Sequence, residues 1–261
     1  HDPRLRKLSF TGSTAVGKAL LREAAANVLR VSMELGGCAP FIIFDDADLE
    51  RAVAAAKSAK LRNMGEACNA ANRFYVAHEL ADEFATRLAT EFRGLVVGDG
   101  LDPATDIGPI ITSEQLHRLR GLVSSAQMHG SQVLVGGEEI AGPGYFYRPT
   151  VLTVPDPGEP VVCEELFGPV APVVPFDSEE QVLSWANASP VGLAAYVHTA
   201  NIDRALRMSE RLEAGMVGIN SAAISNPAAP FGGVKHSGLG REGGSEGIAE
   251  YLETIYVGIP I

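Results

Sequence analysis

The chain has 261 residues, 46% hydrophobic and 20% charged, the make-up of a folded globular protein with one large domain or two ordinary ones. A net charge of −11 argues against nucleic acid or an anionic membrane as partner and leaves small molecules as ligands. Three widely spaced cysteines (Cys38, Cys68, Cys163) with no C-x-x-C pair, six histidines with no H-x-x-x-H pair, and no apolar run near 18 residues argue against a disulfide framework, a metal site and a membrane span, and fit a reducing cytoplasm.

In chain order, "HDPRLRKLSFTG" has no initiator Met and no signal-peptide apolar region, and reads as the middle of a longer protein. "KLSFTGSTAVGKALLREAA" predicts a strand, a turn and a helix. "RVSMEL" and "APFIIF" predict strands, the second nearly all apolar and so buried on both faces. "DDADLERAVAAAKSAKLRN" predicts a helix with acidic residues at its N-terminus, where they complement the helix dipole. "RFYVA" is a further strand. Next come helices over "LADEFATRLATEF" and "SEQLHRLRGLVSSAQMHG", a strand at "SQVLVGG", and a Pro- and Gly-rich stretch of short strands ending in "EELFGPVAPVVPF". Helices over "SEEQVLSWANA" and "IDRALRMSERL" and a strand at "GMVGIN" follow. Strands alternating with helices of this length predict an α/β protein with a largely parallel sheet.

Four stretches carry residues suited to chemistry. In "FTGSTAVG" a glycine turn between strand and helix offers free N–H groups and a positive helix end to a phosphate, although it lacks the G-x-G-x-x-G fingerprint. In "MELGG" Glu34 precedes two glycines that let backbone or ligand come close; half-buried, such a carboxylate can serve as a general base. In "RNMGEACNAANRFYV" Cys68 lies among Gly65, Glu66, Ala67, Asn69 and Ala70, which leaves room for another molecule at the sulfur. "CEELFGPV" joins two carboxylates, an aromatic ring and a Gly-Pro turn. Taken singly, each also reads as an ordinary feature: a strand-turn-helix, a solvated glutamate, a small buried hydrophobe, an acidic loop. "GGSEG" matches G-x-S-x-G formally, but no buried strand precedes it and no histidine follows His236, so a serine-hydrolase reading fails.

Together, "FTGSTAVG", "MELGG", "GEACNAANR", "EELFGPV" and "PFGGVKHSGLGRE" stand in the order and at the spacing of NAD(P)-dependent aldehyde dehydrogenases, which the chain resembles over its whole length. "GINSAAISNPAAPFGGVKHSGLGREGG" with "YLETIYVGI" is most similar to the succinate-semialdehyde dehydrogenase branch. The resemblance implies an α/β fold with a parallel-sheet catalytic domain and a remnant of the dinucleotide-binding domain. Residues 1–36 would be that remnant, 37–235 the catalytic domain, 236–251 a return to the cofactor domain, and 252–261 an oligomerisation strand.

By the same resemblance Cys68 is the nucleophile and Glu34 the general base. Gly12, Ser13, Val16, Gly17, Leu35, Glu165 and Phe167 would line the cofactor site, with Gly12 and Ser13 at the pyrophosphate and Val16 beside the adenine. Glu165 would bind the nicotinamide ribose and Phe167 would pack near the nicotinamide. Arg62, Ser225 and Phe231 would form the substrate site, the first two at the substrate carboxylate, and Glu242 would lie in a proton relay. The implied cofactor is NAD or NADP, the partner a small aldehyde, the setting cytoplasmic, the assembly a homodimer or homotetramer.

Three departures stand out. The family's side-chain amide for the oxyanion, its lysine for the adenine ribose and a further substrate arginine would fall upstream of His1. Cys38 stands where close relatives usually have asparagine, which alters the local hydrogen bonding. Ala70 takes the place of a second cysteine found in some relatives. Two other readings stay open: a dehydrogenase for another aldehyde, such as glutarate semialdehyde or an aromatic one, and an inactive fragment serving as an interaction or structural module.

Overall fold

The computed structural model of the chain describes residues 2–260; the outer limits of the first and last expected segments, His1 and Ile261, lie outside them. Strand β1 (Lys7–Thr11) and helix α1 (Thr14–Ala25) are followed by β2 (Arg30–Glu34) and β3 (Ala39–Ile43). Helix α2 (Leu49–Leu61), β4 (Ala71–Ala77), α3 (His78–Arg93), α4 (Ser113–Met128), β5 (Gln132–Val135) and β6 (Thr150–Thr153) follow. Next are α5 (Pro160–Cys163), β7 (Val170–Phe176), α6 (Glu179–Asn187), β8 (Val191–Gly192), β9 (Ala194–His198), α7 (Ile202–Arg211) and β10 (Met216–Ile219). The last elements are β11 (Val234–Lys235), β12 (Gly238–Leu239) and α8 (Gly244–Ala249).

Seven strands form the main sheet in the order β10-β9-β3-β4-β7-β6-β5, all parallel except the edge pair β5–β6. Its two middle strands, β3 and β4, are buried along their whole length, which is why "APFII" and "ANRFYVA" show no polar alternation of the half-exposed kind. Phe41, Phe74 and Tyr196 stack across three adjacent strands, and Phe84 of α3 closes over Phe74. β1 and β2 run parallel in a second, three-stranded sheet, which β12 joins antiparallel with Gly238 opposite Glu34. So β12, late in the chain, joins the sheet that holds β1 and β2.

The structure departs from the sequence reading in three places. β8 and β9 lie in "VGLAAYVH", whose small residues lack a strand alternation because both faces are buried. β11, β12 and α8 are two to six residues long and sit in a glycine-rich stretch. Residues 252–260, expected as an intersubunit strand, form neither helix nor strand within the chain, and Leu252, Ile255, Tyr256, Val257 and Ile259 are exposed.

Candidate active site

Glu34 ends β2, and two glycines later the chain enters β3 of the main sheet. This junction is where the functional side chains gather. The backbone is tight: a Cβ at Gly37 would stand 2.5 Å from the Cys68 carbonyl oxygen, and one at Gly36 would stand 2.4 Å from Glu165 Oε2. Glu165 Oε1 accepts a hydrogen bond from the Gly37 N–H at 3.1 Å. The late chain closes the other side, with the Ser237 hydroxyl donating to the Gly36 carbonyl at 2.7 Å and a Gly232 Cβ position 2.7 Å from Glu34 Oε1.

Cys68 reaches this place through a strained turn. Helix α2 begins at Asp48, whose side chain accepts from the Arg51 N–H, and it stops when Arg62 turns to extended backbone. Asn63 (φ 50°), Met64 (φ 62°) and Gly65 (φ 76°) then follow in the left-handed region, which a side-chain-bearing residue enters only at a cost. Gly65 also packs so closely that a Cβ there would stand 2.4 Å from the Gly168 carbonyl oxygen. Gly65→Ala should therefore lower stability by on the order of 1–3 kcal/mol and displace Cys68. Thermal unfolding together with thiol accessibility of the full-length protein checks this, and unchanged values for both would refute it.

The electrostatics distinguish the three groups. Burial pushes Glu34 up to about 7, helped by repulsion from Glu242 and opposed by Arg241. Glu34 is 5% exposed and its Oε2 has no hydrogen-bond partner among the described residues. Burial also raises the Cys68 thiol, and the charges of Glu34 and Glu165 push it the same way, while the backbone N–H groups of Cys68 and Asn69 pull it down. Burial raises Glu165 as well, against the Gly37 N–H, Arg118 and Lys60. A carboxylate poised near neutrality beside a nucleophilic thiol is matched to serve as a general base.

Arg62 and Ser225, 163 positions apart in the chain, meet through Asn69. The Arg62 guanidinium donates to Asn69 Oδ1 at 3.1 Å, and Asn69 Nδ2 donates to the Ser225 hydroxyl at 3.0 Å. Tyr196 fixes the neighbouring backbone by donating its hydroxyl to the Asn69 carbonyl at 2.7 Å. Arg62 and Ser225 are exposed, so both present polar groups next to the nucleophile. Phe231 is half-buried and pairs in a backbone bridge with Glu242.

On the cofactor side, Ser13 caps α1 by accepting from the Val16 N–H at 3.4 Å, and the Gly12 N–H donates to the Glu34 carbonyl at 3.0 Å. Gly17 faces Leu35, and Val16 is exposed. The turn that could hold a phosphate is thus tied by one hydrogen bond to the residue carrying the carboxylate. Phe167 takes a left-handed backbone (φ 47°), and Gln115 Nε2 pins it by donating to the Leu166 and Phe167 carbonyls at 2.6 and 2.8 Å.

The substitution at Cys38 is accommodated without an orphan. Asn72 Nδ2 donates to Cys38 Sγ at 3.1 Å and to the Glu164 carbonyl at 2.8 Å, and Asn72 Oδ1 accepts from the Leu166 N–H. Asn72 is available because a register shift between Ala39 and Pro40 leaves it unpaired at the start of β4. Sequence reasoning missed Asn69, Asn72, Gly232 and Lys60. Asn69 carried a signal, as a polar neighbour of the candidate nucleophile; the others become visible only through contacts across the fold. Among the described residues no group of His, Cys, Asp and Glu could hold a metal ion, and no helix is long and apolar enough to cross a membrane.

The parallel α/β scaffold thus brings a thiol into the field of a buried carboxylate, beside a strand-turn-helix. Residues 1–257 match the model of the aldehyde dehydrogenase family, and the chain belongs to that family. It is 54% identical over 258 residues to a succinate-semialdehyde dehydrogenase of Paenarthrobacter nicotinovorans, covering 99% of this chain and 57% of that protein. It is 49% identical over 255 residues to a 3-sulfolactaldehyde dehydrogenase of Pseudomonas putida, covering 98% of this chain and 52% of that protein. The crystal structure of an aldehyde dehydrogenase from Brucella melitensis biovar abortus superposes with a TM-score of 0.96 at 49% identity, over 98% of this chain and 53% of that one. The chain spans about half the length of the curated relatives it matches.

Proposed function

We propose that the enzyme containing this chain oxidises an aldehyde to its acid with NAD or NADP, and that the aldehyde is succinate semialdehyde. The observation that carries the reading is the pairing of Cys68 with the desolvated Glu34 carboxylate at the junction of the two sheets. Cys68 Sγ adds to the aldehyde carbonyl, and the Cys68 backbone N–H would stabilise the oxyanion. A bound nicotinamide would supply the hydride acceptor, and Cys68, once hydride has left the substrate carbon, retains the acyl group as a thioester. Glu34 then takes a proton from water, which attacks the thioester and frees the acid. Gly12 and Ser13 would hold the pyrophosphate with Val16, Gly17 and Leu35 at the adenine side, Glu165 the nicotinamide ribose, and Phe167 the nicotinamide face. Glu242, whose charge acts on Glu34, would pass the proton outward.

The two sheets support a division in which residues 1–36 and 236–251 would go with the cofactor domain and 37–235 would form the catalytic domain. The exposed apolar side chains of 252–260 support a homodimer or homotetramer, and three free thiols suit a cytoplasmic setting. A purely structural role is disfavoured, since both relatives above are named as dehydrogenases.

The substrate reading rests on the line Arg62–Asn69–Ser225. A guanidinium and a hydroxyl beside the nucleophile suit a second, anionic end on a short aldehyde. Arg62 could instead serve only as the cation that ends α2, where a positive charge meets the helix dipole. Arg62→Ala should raise KM for succinate semialdehyde by about 1.5–3 kcal/mol, roughly ten- to a hundredfold, and leave that for butanal nearly unchanged. Equal losses would remove Arg62 as the anchor. A panel of succinate semialdehyde, glutarate semialdehyde, 3-sulfolactaldehyde and benzaldehyde, assayed on the full-length enzyme, tests the substrate; kcat/KM highest for any but the first would replace it.

A further inference from the structure

Lys60 lies on the buried face of α2 with Ala52, Val53, Ala56, Ala59 and Leu61, and none of its surface reaches solvent. Its Nζ has no hydrogen-bond partner among the described residues. An apolar side chain of that length would fill the same space without the cost of desolvating an amine. What an amine contributes there is a field, and the groups that feel it are close to the reaction. The charges of Cys38 and Glu165 act on Lys60, and Lys60 acts on both in return. The carbonyl of Lys60 lies under Gly65, in the turn that delivers Cys68.

Glu165 needs such a partner. Most of its carboxylate is out of water, and burial favours its neutral form. The other cation nearby, Arg118, acts on Glu165 more strongly than Lys60 does, but it is partly exposed. Its hydrogen bonds go elsewhere, Nη1 to the Glu165 backbone carbonyl at 2.9 Å and Nη2 to the Glu164 carboxylate at 2.7 Å. Lys60 is the one of the two wholly shielded from solvent. The remaining groups around the pair are the Cys38 and Cys68 thiols, the Arg73 guanidinium facing Cys38, and the Gly37 N–H. We propose that Lys60 is a positioning residue for the cofactor, the buried cation that keeps the Glu165 carboxylate ionised so that it can accept hydrogen bonds from the nicotinamide-side ribose hydroxyls. This rests on the reading of Glu165 as the ribose ligand.

The sign of the pH dependence follows. Burial lowers Lys60 to about 7, so its charge is present below that pH and fades above it. Without the charge, Glu165 would protonate at higher pH than it does now. A deficit should therefore open on the acid side and close on the alkaline side, where Glu165 ionises unaided.

The test uses the full-length enzyme containing this chain, with Lys60→Met, Glu165→Gln and the double variant assayed across about pH 6 to 9. Lys60→Met should raise KM for the cofactor severalfold, up to about tenfold, near the acid end and by little at the alkaline end. KM for the aldehyde should stay unchanged, and Lys60→Arg should restore part of the loss. In the Glu165→Gln background Lys60→Met should add nothing. Lys60→Gln, which removes the charge and keeps a polar side chain, gives the same comparison should the methionine variant fail to fold. A loss independent of pH, or one that adds fully to Glu165→Gln, would overturn the proposal. So would an unchanged cofactor KM in Lys60→Met while Glu165→Gln raises it. An unchanged cofactor KM in Glu165→Gln itself would instead bring down the reading of Glu165, and this proposal with it.

Discussion

Cys68→Ser should reduce turnover of the full-length enzyme by on the order of a thousandfold or more, because a serine hydroxyl is scarcely ionised near neutral pH and is a poor nucleophile without a dedicated base. The surroundings of Cys68 sharpen this expectation. Burial and the nearby carboxylates of Glu34 and Glu165 already disfavour an anion at this position, and only the two backbone N–H groups of Cys68 and Asn69 oppose them. A thiol still keeps a small thiolate fraction near neutral pH; an alcohol, several pKa units weaker as an acid, keeps almost none. The two other cysteines serve as controls. Cys163 is exposed, its thiol directed at the Pro157 carbonyl, and Cys38 is locked between Asn72 and the carbonyls of residues 162–164. Cys38→Ser and Cys163→Ser should keep most of the turnover. Steady-state rates, with thiol alkylation in the presence and absence of aldehyde to mark the protected cysteine, decide the matter. Near-native turnover in Cys68→Ser would end the mechanism.

The strands and helices that position the site were legible because their residues state their environment. "APFIIF" is apolar throughout and is buried throughout, and the N-caps Asp48 and Ser13 stand where a cap is expected. Glu34 and Cys68 stood out as candidates beside glycines and small residues, and the packing reason for those small residues is now visible. Gly37 is small because the Cys68 carbonyl passes 2.5 Å from where its Cβ would be. β9 was not legible: "AAYVH" is short, made largely of small residues and buried on both faces, so it gives neither period. Lys60 was not legible either. In "AAAKSAKLRN" a lysine reads as a solvated helix residue, and only the packing of α2 against the sheet turns it inward. Contacts such as Arg62–Asn69–Ser225 and Gly232–Glu34 join residues far apart in the chain, and no local pattern encodes them.

Glu34→Gln should slow steady-state turnover by about a hundred- to ten-thousandfold while retaining an initial burst of reduced cofactor. The burst survives because addition of the thiol and departure of hydride need no water. The slow phase appears because the thioester then waits for a water molecule that no base activates. A carboxylate whose ordinary value lies near 4.5 would be fully ionised at neutral pH and a weak base; raised to about 7, it is matched to its task. The direction of the pH dependence follows from that shift. Glu34 is protonated and inactive as a base below about 7 and ionised above it, so the native steady-state rate should climb through this range to a plateau. Glu34→Gln should remove that inflection. Glu242→Gln should move it downward, since repulsion from Glu242 is part of what holds Glu34 up, whereas loss of Arg241 would move it upward. Stopped-flow absorbance of the reduced nicotinamide, taken with steady-state rates over the same range, resolves the two phases. A burst lost together with the slow phase would place Glu34 before the thioester, as the base that takes the proton from Cys68, and hydrolysis would then need another residue.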